Sequence, residues 1–443
     1  MGIFSSLQKE SKQAIGLLSI GTFLEYFDLF LYVHMAILLN DLFFPKTDAH
    51  TQALLSAFAF STTFVFRPLG ALLFGYIGDK YGRKVTIVIT TFMMAFTCLV
   101  MANVPTYAQI GITAAWIVTI CRALQGMSSM GEIVGAQLFL TEAIPLPARY
   151  PAVGLISVFG DMGATFALFI ATLSTAHGFN WRMAFWIGAG VALVGSIART
   201  TLRESPEFAD AKRRIKTVAK RTNEDASFLK DSPFYNQKVN NKTAWAYFLI
   251  QCSSPVFFYF TFIYGPQILR NNFSYEPHEI LYYNSILAIF QLFAWSMLRA
   301  YLSTKIYPLK ILRTALLGLS IIVLVLPFLL NNIQAPWQLF IIQALIIIFL
   351  ANDMPMVPIL FKHFPVFKRF TYASFLVALS RALLYPIISF GITYLVDYFG
   401  YWGLLVIMVP ILIGYKYGLD HFKELEIAAG RYPQKLAPEL ETA

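Results

Sequence analysis

Gly75-Tyr-Ile-Gly78-Asp79-Lys80-Tyr-Gly82-Arg83-Lys84 is a short, charged, glycine-punctuated stretch between two long apolar segments. Its glycines allow tight turns and close backbone approach. Asp79 suits the start of a following helix, or a basic partner. Lys80, Arg83 and Lys84 mark the cytoplasmic side of a membrane. The bland alternative is an ordinary turn between two helices.

Composition favours the membrane reading. Of 443 residues, 57% are hydrophobic and 13% charged, against roughly 25% charged in soluble domains. Each span needs about 20 apolar residues. Twelve stretches qualify: 15–39, 52–76, 85–103, 109–138, 152–175, 183–199, 244–269, 279–300, 309–330, 337–361, 371–395 and 401–419. Residues 1–14 are polar and the first span is too long for a signal-peptide core, so no cleavable leader is expected.

The net charge of +10 is not a nucleic-acid signal. Lys46, Arg182 and Arg270 fall in outer loops, and Arg67, Arg122 and Arg381 inside spans. The remaining Lys and Arg fall in loops and tails of the opposite side. That bias puts both termini in the cytoplasm. Cys98, Cys121 and Cys252 lie in or beside spans without metal-ligand spacing, and read as small hydrophobes.

In the first span, Gly21, Glu25, Asp28 and Tyr32 share one sector of about 60°. Two carboxylates one turn apart inside a membrane must face a wet cavity or a cation. They read either as a proton site or as a buried ion-pair post. In the fourth span, Arg122, Gln125, Ser129 and Glu132 form a polar stripe on an apolar helix, with Glu132 nearer the cytoplasm. Arg122 is the expected countercharge for Glu25 or Asp28. Arg67 lies about two turns inside the signature stretch and needs a carboxylate or carbonyl partner. In the fifth span, Asp161 between Gly160 and Gly163 is either a site residue or a helix-to-helix bond.

Residues 201–243 form a polar, basic linker, with Lys212-Arg-Arg214, Lys216 and Lys220-Arg221. A short amphipathic helix on anionic lipid would suit it. The linker divides the chain into a bundle over 15–200 and another over 244–419, with tails at 1–14 and 420–443. In the second bundle, Gln251-Cys-Ser-Ser254-Pro255 suggests a helix broken at Pro255. Tyr283 and the Asn352-Asp353-Met-Pro355 run add polar groups. Arg381 sits deep in apolar sequence and must be paired or wet. Its partner is Asp353 or a substrate carboxylate, which a guanidinium grips with two bonds.

The quoted stretch resembles the signature loop between helices 2 and 3 of the major facilitator superfamily of transporters. Arg122-x-x-Gln125-Gly126 resembles a second superfamily motif, linked to proton coupling. Gly21-Thr-Phe-Leu-Glu25-Tyr-Phe-Asp28, Phe66-Arg67-Pro-Leu-Gly70, Gln125-Gly-Met-Ser-Ser-Met-Gly131-Glu132, Asn180-Trp-Arg182 and Arg203-Glu-Ser-Pro-Glu-Phe208 are similar to the metabolite:proton symporters, which import organic acids, amino acids or betaines. This covers residues 15–215 well and 356–395 weakly. Glu142, Arg149 and Glu204 then belong to the superfamily's cytoplasmic charge network, each pair contributing about 0–1 kcal/mol if solvated. The second copy departs from the pattern: Thr304 replaces the aspartate, Tyr307 a glycine, and Lys362 a glutamate. The cytoplasmic latch is therefore expected to rest mostly on charges of the first half.

The resemblance implies an all-α membrane protein of the major facilitator fold, with twelve transmembrane helices in two six-helix bundles. It implies proton-coupled import of a small organic metabolite by alternating access. A proton-independent facilitator or a proton-coupled exporter of drugs or siderophores would share the fold. Glu25, Asp28 and Arg122 are the expected proton-coupling groups. Tyr32, Gln125, Ser129, Asp161, Gln251, Tyr283, Asn352, Asp353 and Arg381 are candidates for the substrate site. Arg67, Gly75, Asp79, Arg83, Glu132, Glu142, Arg149 and Glu204 are candidates for the cytoplasmic gate. No cofactor, metal or catalytic residue is expected, only a proton gradient, and no zinc-protease, phosphate-loop or nucleophile-elbow motif occurs. The expected partners are the small solute, protons and lipid, not nucleic acid. A monomer in the bacterial inner membrane is the expected state.

Overall fold

The computed structural model describes residues 7–45, 63–174, 180–222 and 237–433. The start of the second expected span (52–62), Lys46 and linker residues 223–236 lie outside the described residues. Every regular element among the described residues is helical.

The first set of helices is α1 (Lys9–Phe43), α2 (Arg67–Lys80), α3 (Arg83–Asn103), α4 (Ile112–Ala143), α5 (Arg149–Ser174) and α6 (Arg182–Arg199). In the linker, α7 (Pro206–Thr222) is the expected short amphipathic helix. The second set opens with α8 (Asn241–Gln251), α9 (Ser253–Tyr259), a π turn over Phe260–Tyr264 and α10 (Gly265–Phe273), which follow one another end to end. After α11 (Pro277–Gln291) come a π turn (Leu292–Met297) and α12 (Leu298–Leu302). The set closes with α13 (Pro308–Asn331), α14 (Pro336–Ile348), α15 (Val357–Lys362), α16 (Arg369–Phe399) and α17 (Gly403–Ala428).

Local chemistry explains many of these boundaries. Pro206, Pro277, Pro308 and Pro336 each open a helix, where a missing N–H costs nothing. Asn240 caps α8, its side-chain oxygen accepting from the Lys242 N–H at 2.9 Å. Pro255 has no N–H to offer the carbonyl four residues back, and the helix is interrupted between Gln251 and Ser253, as expected. The expected span 337–361 is not one helix. It is split into α14 and α15 by irregular backbone at 349–356, where Asn352, Asp353 and Pro355 crowd together.

Seven helical stretches among the described residues are long and apolar enough to cross a membrane by length and composition. Phe96, Trp116, Val194, Leu317, Phe328 and Phe390 are each more than half exposed. An apolar outer surface of that size suits lipid contact. In the first set α1 packs on α5, and α3 on α4 and α6; in the second α8 and α13 pack on α17. The two sets meet where α2 packs on α16 and α5 on α11.

Candidate functional site

A cluster of buried polar groups lies inside the first set. Asp28 on α1, Arg122 and Gln125 on α4, and Tyr32 one turn beyond Asp28 come together. Arg122 Nη1 stands 3.9 Å from Asp28 Oδ2 and donates to Gln125 Oε1 at 2.9 Å. Its guanidinium lies over the Tyr32 ring, 4.0 Å from the centroid. Cys98 of α3 donates its thiol to Asp28 Oδ1 at 3.3 Å, a role its sequence position did not reveal. Arg122 therefore pairs with Asp28 rather than Glu25. Ser129 is fully buried and donates to the Gly126 carbonyl of its own helix at 2.9 Å.

Glu25 and Arg67 are also buried, at 2% and 3% exposure. The carboxylate Oε2 of Glu25 and the guanidinium Nε and Nη2 of Arg67 have no hydrogen-bond partner among the described residues. Of the carboxylate or carbonyl partner expected for Arg67, no carboxylate lies within 4 Å of it among the described residues. Instead its guanidinium lies over the Phe64 ring at 4.7 Å. Unpartnered buried polar atoms carry a cost of about 1–3 kcal/mol each, more for charged groups.

Glu132 does not join the Arg122–Asp28 contact. Its carboxylate pairs with Arg199 of α6 and accepts from Thr91 of α3 at 2.6 Å. Arg199, fully buried, also donates to the carbonyls of Leu17 and Leu18 on α1. Sequence reasoning assigned Arg199 to the cytoplasmic loop because it ends a span. The signal was Gly21: a side chain there would occupy the space that the Arg199 guanidinium fills.

In the second set the candidates do not converge on one point. Gln251 donates to Asp353 Oδ2 at 2.8 Å. Of the two partners expected for Arg381, Asp353 forms no ion pair with it within 4 Å. Arg381 is half-buried and donates to the Val377 carbonyl on its own helix at 3.1 Å. Asn352 braces the broken backbone, accepting from Arg299 at 3.4 Å and from the Met354 N–H at 3.2 Å. Arg299, read from sequence as a loop residue, is 3% exposed. Tyr283 donates to Gln343, whose amide donates to the Thr261 carbonyl. Asp161 reaches across the sets, accepting from Gln291 at 3.2 Å and from Ser296.

At the charged end, the signature stretch meets the start of α16. Asp79 accepts from the backbone N–H of Phe370 at 3.0 Å and of Thr371 at 2.8 Å, and from the Thr371 hydroxyl at 2.8 Å. An anion at a helix N-terminus is favourable. Gly75 makes the approach possible, because a Cβ there would stand 2.6 Å from Thr371 Cα. Arg83 grips Glu142 with two bonds, at 3.1 and 3.0 Å, and reaches Asp79 at 3.2 Å and the Val366 carbonyl at 2.7 Å. Glu204 accepts from the N–H of Arg83 at 3.0 Å and of Lys84 at 3.4 Å, capping α3. Gly82 leads into that cap at φ +139°, with Glu204 in the space a side chain would need.

Two expectations about this network are corrected. Glu142 pairs with Arg83 and with Arg369 of the second set, the latter at 3.0 Å. Arg149 turns back onto the Ile144 carbonyl at 2.7 Å. The network is also buried rather than solvated, with Arg83 at 0% and Glu142 at 6% exposure. Removing one partner of such a pair costs about 3–5 kcal/mol, not the fraction expected of surface pairs. Nor is the second half a bystander: Arg369 bridges Glu142 and Glu207.

The family model of the Major Facilitator Superfamily matches residues 18–383, and the chain belongs to that superfamily. It is a superfamily of transporters, not enzymes. A proline/betaine transporter of Salmonella typhimurium is 32% identical over 284 residues, covering 61% of this chain and 55% of the relative. A glycine betaine/proline/ectoine/pipecolic acid transporter, OusA of Dickeya dadantii, is 30% identical over 283 residues, covering 61% and 55%. The chain thus spans about half the length of the curated relatives it matches. The proton:xylose symporter XylE has the same fold, with a TM-score of 0.74 at 15% identity over 95% of this chain and 96% of that one. The human organic anion transporter MFSD10 aligns at a TM-score of 0.69 and 15% identity, covering 93% and 100%.

Proposed function

We propose that this protein is a secondary active transporter that imports a small organic metabolite together with protons, by alternating access. The favoured solute class is a carboxylate-bearing zwitterion, an amino acid or a betaine, as in the names of its relatives. The reading includes twelve spans in two bundles, 15–200 and 244–419, joined by the linker 201–243. Both termini and the charged end face the cytoplasm, in a bacterial inner membrane, and the protein works as a monomer without a cofactor.

The observation that carries the reading is the Asp28–Arg122 contact at 3.9 Å, beside Glu25 Oε2, which has no hydrogen-bond partner among the described residues. A carboxylate held at that distance from a guanidinium is a releasable pair. A proton arriving from outside onto Asp28, directly or by way of Glu25, weakens the hold on Arg122 and lets the halves close around solute. Release follows when the site opens to the cytoplasm. Aromatic pairs that span the two sets, Phe30 with Phe258 at 5.8 Å and Phe64 with Tyr385 at 4.6 Å, suit the methylated ammonium of a betaine. Arg67 and Arg381 suit its carboxylate. One charge moved across about 100 mV supplies about 2.3 kcal/mol, enough for roughly 50-fold accumulation.

Uptake into proteoliposomes with an inward proton gradient tests this, across labelled carboxylates, amino acids, betaines and sugars. Accumulation of a zwitterion that collapses with a protonophore supports the proposal. Equilibration indifferent to the gradient makes the protein a facilitator and overturns it.

A further inference from the structure

The charged end holds two equivalent arginines with unequal partners. Arg149 opens α5 and donates Nε to the carbonyl five residues back, Ile144, at 2.7 Å. Arg369 opens α16 and donates Nε to the carbonyl five residues back, Phe364, at 3.1 Å. The residue seven before Arg369 is Lys362, and the residue seven before Arg149 is Glu142. The forward guanidinium nitrogen of Arg369 is satisfied by Glu142 and Glu207, each at 3.0 Å. The equivalent carboxylate for Arg149 would stand at position 362, where the chain has a lysine.

Arg149, Lys362 and Arg431 instead line one cavity of about 60 Å³ between the two sets, with Glu426. Among the described residues neither Arg149 nor Lys362 has a carboxylate within 4 Å; Glu207, bonded to Arg369, acts on both only from farther off. Glu426 offsets only part of the charge of the three basic groups. One of its oxygens faces His363 at 2.8 Å and the other accepts from Tyr307 at 2.6 Å. Arg431 reaches it only at 3.9 Å. The volume holds roughly four waters or one tetrahedral oxyanion. The N-terminus of α5 adds its own preference for an anion.

We propose that this cavity binds a phosphate-type oxyanion in place of the missing carboxylate, tying α5 of the first set to α15 and α17 of the second. The site is separate from the transport pocket, and its test does not depend on which solute is carried. The phosphate is either free in the cytoplasm or carried on an anionic lipid head group.

The test uses the full chain, purified in dodecyl maltoside without added lipid. Inorganic phosphate is titrated by calorimetry and by thermal unfolding, against chloride at equal ionic strength. Saturable binding is expected in the wild type. It should be at least about tenfold weaker in Arg149→Gln and Lys362→Gln, each of which loses one charged hydrogen bond. Lys362→Glu restores the carboxylate, so it should unfold no earlier than the wild type yet lose phosphate binding. A second arm compares nanodiscs of phosphatidylglycerol and of phosphatidylcholine, without free phosphate. Stabilisation by phosphatidylglycerol alone, lost in Lys362→Glu, with no binding of free phosphate, assigns the site to lipid. If neither ligand stabilises the wild type, or all variants bind like the wild type, the proposal is overturned.

Discussion

Asp79 holds Thr371 by two bonds of 2.8 Å, one to its backbone N–H and one to its hydroxyl. The two residues lie in different helix sets, so this carboxylate is a clasp between them. Charge-assisted hydrogen bonds contribute about 1.5–3 kcal/mol, or about tenfold or more in an equilibrium between closed and open. Asp79→Asn should therefore open the charged end. A cysteine placed at the buried Ala373, in a background without Cys98, Cys121 and Cys252, should be labelled from that side about tenfold faster in the variant.

Gly75→Ala tests the same closure without touching a charge. Its methyl group would meet the Thr371 backbone at 2.6 Å, so α2 and α16 must part. Labelling at position 373 should rise as it does in Asp79→Asn. The double variant should show less than the sum of the two effects, because both act on one contact.

The Arg83–Glu142–Arg369 network should behave as a buried unit. Glu142→Gln leaves two guanidinium groups short of their carboxylate and should cost about 3 kcal/mol or more, read as a lower thermal midpoint in micelles. The Arg213–Asp210 pair is the control, at 3.8 Å with side chains 79% and 61% exposed. Arg213→Gln should leave the midpoint unchanged.

Much of this site was readable along the chain. The stripe of Arg122 and Gln125, the two carboxylates of α1 and the Asp79 loop stand out because charge and glycine are rare within apolar segments. Pro255 marks a helix interruption for a reason that is purely local. What the chain could not disclose is partner choice. Glu142 has Arg149 close by in sequence, yet binds Arg83 and Arg369, because three helix ends meet where it points. Arg199 and Arg299 end apolar stretches, so a count along the chain places them in water. Packing against α1 and against the broken backbone at 349–356 buries them instead. Asp161 finds Gln291 and Ser296 only because α5 and α11 pack together.

If Asp28 and Arg122 couple the proton to the solute, proton movement itself is the direct readout. Wild-type protein in liposomes loaded with a pH-sensitive dye, given the transported zwitterion outside, should acidify the lumen as solute enters. Asp28→Asn should abolish that acidification and reduce accumulation from roughly 50-fold to simple equilibration, while exchange of labelled for unlabelled solute continues. Solute-driven acidification of the same size in Asp28→Asn and Glu25→Gln would rule out proton coupling through this pair and reduce the Asp28–Arg122 contact to scaffolding.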